Sequence, residues 1–198
     1  MLLGGVEVSP MAIQNPKRPI SIDEYHRMAE DGLFAEDDRV ELIEGEIVEM
    51  TAIGDNHTHT VRRLILLFHR RLLDRVIVDV QNPVRLGAWS EPQPDLTLLE
   101  WRDDCYASAP TAKDIVLLVE VADSSVGYDR RVKAPLYARN NIREYWLLDL
   151  PARVLEVYRR PGQDGYGEVR RLRRGDSVAP EAFSDVVFAV SDLLGPVD

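Results

Sequence analysis

The order of apolar segments predicts an α/β fold: a mixed central sheet flanked by helices, with an added β-hairpin region. Three observations carry this reading. Two short apolar runs, Leu96–Leu99 and Ile115–Val119, are bounded by turn residues, as buried strands are. Residues 57–73 place Val61, Leu64, Ile65, Phe68 and Leu72 at helical spacing on one face. Residues 144–150 and 154–158 form two more apolar runs, parted by Pro151 and Ala152. Helices interspersed among strands in this way call for a layered α/β arrangement.

Each element has a local reason. Residues 1–18 hold Gly4, Gly5, Pro10 and Pro16 without periodicity and read as a flexible leader before one domain at 19–198. Ser21 followed by Glu24 fits a capping box, so a short helix should follow with Tyr25, Met28 and Ala29 inward and Gly32 near its end. Residues 39–50 read as a hairpin, with Gly45 supplying the positive φ of a tight turn. The helix at 57–73 leaves Arg62, Arg63, His69, Arg70 and Arg71 largely on a solvated face. His57 and His59, two residues apart at a loop-to-helix junction, form a poor zinc pair. Residues 75–80 read as a strand, with Val84 and Leu86 extending it past Pro83.

Residues 101–114 form a polar excursion, expected at the mouth of the site. Asp129 is placed to cap the next helix, which Pro135 must kink or make irregular and which Asn140 and Asn141 end. Gly162, Gly165 and Gly167 suggest a loop before Val169. Arg170, Arg171, Arg173 and Arg174 suggest a solvated edge, and residues 186–190 a last strand.

Composition narrows the function classes. The chain has 198 residues, 45% of them hydrophobic, which suits one globular domain with a sizeable core. No apolar run has the length of a membrane span, and no export signal is legible. Cys105 is the one cysteine, so no internal disulfide forms and a cytoplasmic setting is expected. A net charge of -10 argues against broad adhesion to nucleic acid but leaves room for a local basic face.

The chemistry gathers between Pro94 and Lys133. Asp95 heads one buried strand and Glu120 ends another. Side by side, two such strands bring both carboxylates to one end of a sheet. Carboxylates about 4 Å apart repel by roughly 4 kcal/mol at an effective dielectric of about 20. Such a pair shares a proton or holds a cation, and oxygen ligands suit Mg²⁺ or Mn²⁺. Lys133, in a helical segment, can orient a water or steady a developing negative charge. Tyr137 stands four residues on, on the same face. Glu41 is either a solvent-facing strand residue or a third carboxylate near the metal. Asp123, Ser124 and Ser125 can orient the carboxylates, contact phosphate or cap a helix.

At these residues the chain resembles the PD-(D/E)xK nuclease superfamily, and within it the bacterial family of putative restriction endonucleases. The matching pieces are Arg39 to Gly45, Met50 with His57, Pro94-Asp95, Glu120-Val121, Asp129 with Lys133 and Tyr137, and Glu144-Tyr145-Trp146 with Asp149. They span about residues 20 to 160. One position departs: Ala122 stands where the superfamily lysine would follow the glutamate, and the family pattern points to Lys133 in its place. The resemblance implies a restriction-endonuclease-like fold and hydrolysis of DNA phosphodiesters. It favours Glu41 over Glu44 as the third carboxylate. It also implies Asp95, Glu120 and the Val121 carbonyl as metal ligands, marks His57 as a substrate contact or helix cap, and makes Ser124 and Tyr137 candidate substrate contacts.

Two other classes stay open: a nucleic-acid-binding or assembly module that kept the fold without the chemistry, and a hydrolase of small phosphodiesters. A homodimer is expected from Trp89, Trp101, Tyr145 and Trp146 as large apolar groups, and because cutting both strands benefits from two-fold symmetry.

Overall fold

The structure, a computed structural model, describes residues 18–35 and 37–196. Apart from Arg18, the expected leader lies outside the described residues. Helix α1 (Ile22–Glu30) begins at the Ser21–Glu24 capping box and ends at Asp31, with Gly32 at φ 73°. Only Ile22 of this helix is buried. Ala29, expected inward, is exposed, because a single turn of α1 meets the domain.

Strands β1 (Val40–Ile43) and β2 (Glu46–Glu49) form an antiparallel hairpin through Glu44 and Gly45. Helix α2 (Asp55–Leu72) buries Val61, Leu64, Phe68 and Leu72 on one side, the apolar stripe of the sequence. Six strands then build the central sheet: β3 (Val76–Val80), β4 (Leu96–Glu100), β5 (Ile115–Ala122), β6 (Glu144–Asp149), β7 (Val154–Gly162) and β8 (Gly165–Leu172). They lie in chain order, and every neighbouring pair is antiparallel except β5 with β6.

A parallel pair needs a crossover, and here it is helical. Helix α3 (Val126–Tyr128), a π-helical segment (Asp129–Lys133) and α4 (Ala134–Arg139) follow one another without a break. Two short strands, β9 (Ser177–Val178) and β10 (Phe188–Ala189), and helix α5 (Val190–Leu194) complete the order. The expected strand at 186–190 is therefore only two residues long, because Val190 opens a helix.

Two other segments differ from expectation. Val84 and Leu86 do not prolong β3; Gln81 at φ 52° breaks the strand, and both residues fold into the core from a connecting segment. The expected loop at Gly162–Gly167 is a tight hairpin instead. Gly162 pairs with Gly165 and Pro161 with Tyr166, so only Gln163 and Asp164 turn the chain.

Strand alternation divides the core into two layers. Leu117, Val119 and Val121 of β5, with Trp146 and Leu148 of β6, face α2 and α5. Leu118 and Ala122, with Tyr145 and Leu147, face α4 and the Val84–Leu86 segment. Glu120 shares the parity of Leu118 and Ala122, so it points to the second layer. Tyr145 and Trp146 are fully buried and belong to the core, not to an outer contact surface as expected. Trp89 and Trp101 are about half exposed. Among the described residues no helix is long and apolar enough to cross a membrane.

The residue 101–114 excursion is not at the mouth of the site. Asp95 precedes β4 and Glu100 ends it, so five residues of strand carry the chain to the opposite end of the sheet. β5 starts from that end and runs back to Glu120.

The hairpin that carries Glu41 is seated by Gly45. Its φ is 80°, and a Cβ there would collide with Pro19, 2.8 Å from its Cα. Gly45→Ala is therefore expected to cost at least about 1 kcal/mol in urea denaturation, more than the strain-free glycine-to-alanine change yields.

Candidate active site

The register of β4 on β5 creates the site. Leu96 pairs with Val119, so one step outward sets Asp95 opposite Glu120. The Asp95 N–H donates to Glu120 Oε2 at 3.3 Å, and the Val121 N–H donates to Asp95 Oδ2 at 2.8 Å. The two carboxylates are held by each other's strand. Like charges directly opposite destabilise a sheet, so this pair needs offsetting charge.

Part of it comes from the crossover. Lys133 Nζ lies 3.0 Å from Glu120 Oε1 and 3.2 Å from Glu41 Oε2. Tyr137, one turn later, donates its hydroxyl to Glu120 Oε1 at 2.7 Å. Glu41 arrives because Glu91 bonds to Leu42 across the β1 edge, which also brings the Gln93 N–H to Glu41 Oε2 at 3.2 Å. The four ionisable groups Glu41, Glu120, Asp129 and Lys133 are 2%, 4%, 3% and 6% exposed.

The irregular helix has a cause. Pro135 has no N–H, which interrupts the α-helical ladder, and the preceding turn widens so that the Ala134 N–H reaches Asp129. Asp129 thus sits inside the helix, accepting from Ser125 Oγ at 2.6 Å, and is not the cap expected of it. It belongs instead to the carboxylate cluster. Arg130, the next residue, turns away to Glu156 and Asp149 and fastens the π-helical segment to β6 and β7.

His57 does not cap α2, which is capped at Gly54. Its Nε2 lies 2.9 Å from Asp95 Oδ1, and Gln81 reaches the same oxygen at 3.4 Å. His59 faces Arg63 instead. Glu41, His57, Asp95, Glu120 and Lys133 line an open cavity of about 550 Å³, together with Val121, Ser124, Tyr128 and Asp129.

The charge count is unbalanced. Among the described residues Glu41 and Glu120 share Lys133, Asp95 meets only His57, and Asp129 has no cation within ion-pair distance. Burial raises the Glu120 carboxyl to about 8; Lys133 opposes this, and Asp95 and Asp129 reinforce it. Burial likewise raises Asp129 against the pull of Lys133. Burial disfavours the charged Lys133 amine, but Glu120, Glu41 and Asp129 outweigh it and hold the amine protonated well above the ordinary lysine range. Burial, with Glu41, pushes the Tyr128 phenol up to about 12, so it stays a neutral donor.

Excess buried carboxylate with hard oxygen donors suits Mg²⁺ or Mn²⁺. Among the described residues, two cavity atoms, His57 Nδ1 and Tyr128 Oη, are buried without a hydrogen-bond partner, as are Arg63 Nε and Tyr145 Oη outside the cavity. Among the described residues no three His, Cys, Asp or Glu side chains form a ready-made ligand group, because Lys133 stands between Glu41 and Glu120. The donor chemistry fits a hard cation, which would share these oxygens with Lys133.

Of the residues singled out in the sequence, Asp95, Glu120, Glu41, Lys133, Tyr137 and His57 meet in one hydrogen-bonded cluster, and Val121 and Ser124 line its cavity. Asp129 as a cluster member and Tyr128 as a lining residue were not legible. Their placement depends on the π-helical turn, and Pro135 was its one signal.

A six-stranded mixed sheet flanked by helices, with acids at the ends of adjacent strands, defines a restriction-endonuclease-like nuclease fold. The chain belongs to the family described as putative restriction endonuclease (Uma2), whose model matches residues 22–191. A similar solved structure is that of a putative nuclease belonging to DUF820 from Anabaena variabilis. It is 16% identical, with a TM-score of 0.70 over 89% of this chain and 98% of that one. At that identity the likeness is one of fold. No curated protein matches the chain.

The raised Glu120 carboxyl has a consequence for the metal-free protein. Its folded value of about 8 lies above the ordinary 4.5, so its stabilising contribution is complete below about 4.5 and is lost as pH rises through about 8. Between those limits the wild type should lose stability relative to Glu120→Gln, whose amide does not titrate. Chemical denaturation in EDTA from pH 5 to 8 measures this, and parallel profiles would contradict it.

Proposed function

We propose that the protein is a divalent-metal-dependent endonuclease that hydrolyses DNA phosphodiesters. The observation that carries this reading is the convergence of Lys133 on Glu120 and Glu41 beside the cross-strand Asp95. Membership of a restriction endonuclease family supports it. Asp95, Glu120 and the Val121 carbonyl would hold Mg²⁺ or Mn²⁺, with Glu41 in support. When bound, such a cation lowers the pKa of water and offsets charge on the phosphate.

The chain's own groups do the rest. Lys133 orients the attacking water or steadies negative charge on the phosphate oxygens as it builds. Tyr137 fixes the Glu120 carboxylate. His57 fixes Asp95 and is a substrate contact, as is Ser124 at the cavity wall. A cytoplasmic setting fits the single, exposed Cys105.

One observation favours a second reading. Lys133 already occupies oxygens of Glu120 and Glu41 that a cation would use, which is how a binding or assembly module without chemistry would neutralise its inherited acids.

Plasmid nicking in Mg²⁺ and Mn²⁺ separates the two. The wild type should nick and Asp95→Ala should not. Lys133→Gln should lower the rate about 10²- to 10³-fold, the scale for losing one transition-state donor. Its Mg²⁺ affinity by calorimetry should hold or rise, since a competing cation has gone, whereas Glu120→Gln should bind Mg²⁺ weakly. Equal nicking by Lys133→Gln and wild type would remove the lysine from the mechanism. We also propose a homodimer, which half-exposed Trp89 and Trp101 support. Light scattering at micromolar concentration should give twice the mass of one chain, and a monomeric mass would contradict it.

A further inference from the structure

The floor of the cavity is acidic, yet two cations line it from different elements. Arg39 stands just before β1, and Arg131 lies in the π-helical segment. Both are exposed, and among the described residues neither is ion-paired to a carboxylate. Their neighbours are engaged elsewhere: Arg130 binds Glu156 and Asp149, and Arg139 binds Glu44.

Position explains both orientations. Arg39 is two residues before Glu41, and its carbonyl accepts the Met50 N–H, so the hairpin continues through it. Strand alternation then sends Arg39 to the side of Glu41. Long helical side chains lean toward the preceding turn, and Arg131 folds back over Gly127. A Cβ at Gly127 would stand 3.0 Å from both terminal guanidinium nitrogens. The missing side chain is what seats Arg131 beside Ser124 and Ser125, which line the same cavity.

The charge arithmetic gives these arginines a purpose. A phosphodiester approaching Glu41, Asp95, Glu120 and Asp129 meets like charge, and Lys133 and the proposed metal act only at the bond to be cut. A small phosphodiester has one negative group to hold. A nucleic-acid strand has phosphates on both sides of the bond to be cut, so each of two cations on different elements has one to meet.

We propose that Arg39 and Arg131 form a two-sided phosphate clamp that grips a DNA strand on either side of the bond laid over Asp95 and Glu120, with Gly127 as the seat of Arg131. This rests on the nuclease reading above and deepens it, naming the residues that grip the flanking phosphates.

The test is binding of a short fluorescein-labelled duplex to the full chain. It is read by anisotropy over a range of salt, with Ca²⁺ replacing Mg²⁺ to keep the strand intact, alongside nicking in Mg²⁺ or Mn²⁺. Arg39→Gln and Arg131→Gln should each weaken binding about 10-fold and reduce the slope of log affinity against log salt by about one. Gly127→Ala should melt at the wild-type temperature or above, since alanine favours a helix, and lose part of the affinity that Arg131→Gln loses, because a Cβ there displaces only the end of the Arg131 side chain. In an Arg131→Gln background it should lose nothing more.

Wild-type affinity and salt slope in either arginine variant would overturn the clamp. An undiminished Gly127→Ala effect without Arg131 would overturn the seat. Binding that depends on both arginines, in a wild type that never nicks, would sustain the clamp and remove the nuclease reading. A wild type that binds no duplex would overturn both.

Discussion

The register between β4 and β5 is the constraint on which the site depends. It sets Asp95 against Glu120 at the end of two neighbouring strands, where each carboxylate takes a backbone N–H from the other's strand. A slip by one residue would turn one of them to the opposite layer, among Val119 and Val121. The register is specified by burial. Leu96, Leu98, Leu117 and Val119 are all fully enclosed, and none could exchange faces with a carboxylate without a large desolvation cost. The apolar core and the acid pair are therefore fixed by one pattern.

The lysine reaches that pair by another route. With Ala122 on β5 itself, no amine stands at the strand position, and a helix must deliver one from the side. An α-helical turn interrupted by Pro135 widens into a π-helical one, which places Lys133 on Glu120 and Glu41 and brings Asp129 into the same cluster. Such turns recur at functional sites because they re-aim side chains. Arg130 makes the widened turn tenable: held by Glu156 and Asp149, it ties the segment to the sheet on the side away from the cavity.

Much of this was legible in the sequence, where residue type and period agree. The α2 stripe, the strand that follows Asp95, the strand that carries Glu120 and the capping box at Ser21 all follow from local pattern. The failures have a common origin in tertiary geometry. The 101–114 excursion lies between Asp95 and Glu120 in sequence, which suggests a place at the site, but antiparallel strands return to one end and leave their connection at the other. Asp129 read as a cap because an acid before a helix usually is one. Nothing local announces that helix α3 has already begun. Tyr145 and Trp146 suggested an outer surface, but a parallel strand between two neighbours is covered on both faces.

The imbalance of charge in the cavity is not a general tolerance of this fold for buried acid. At the start of β6, Glu144 is 1% exposed, and it accepts from the Trp146 indole, from Arg159 and from the Glu181 N–H. Glu156 is 3% exposed and meets Arg130, Arg171 and the Tyr158 hydroxyl. In both places each buried acid has at least one arginine of its own. Around Glu120, two acids share one amine, Asp95 meets only His57, and among the described residues Asp129 has no cation within ion-pair distance. A chain that elsewhere matches its buried acids so closely leaves this cluster short of positive charge. Isolated buried charge is costly enough that the shortfall must be met by protons or by a bound cation. Of these two, only the cation also gives a phosphate a reason to come to the acids that would otherwise repel it.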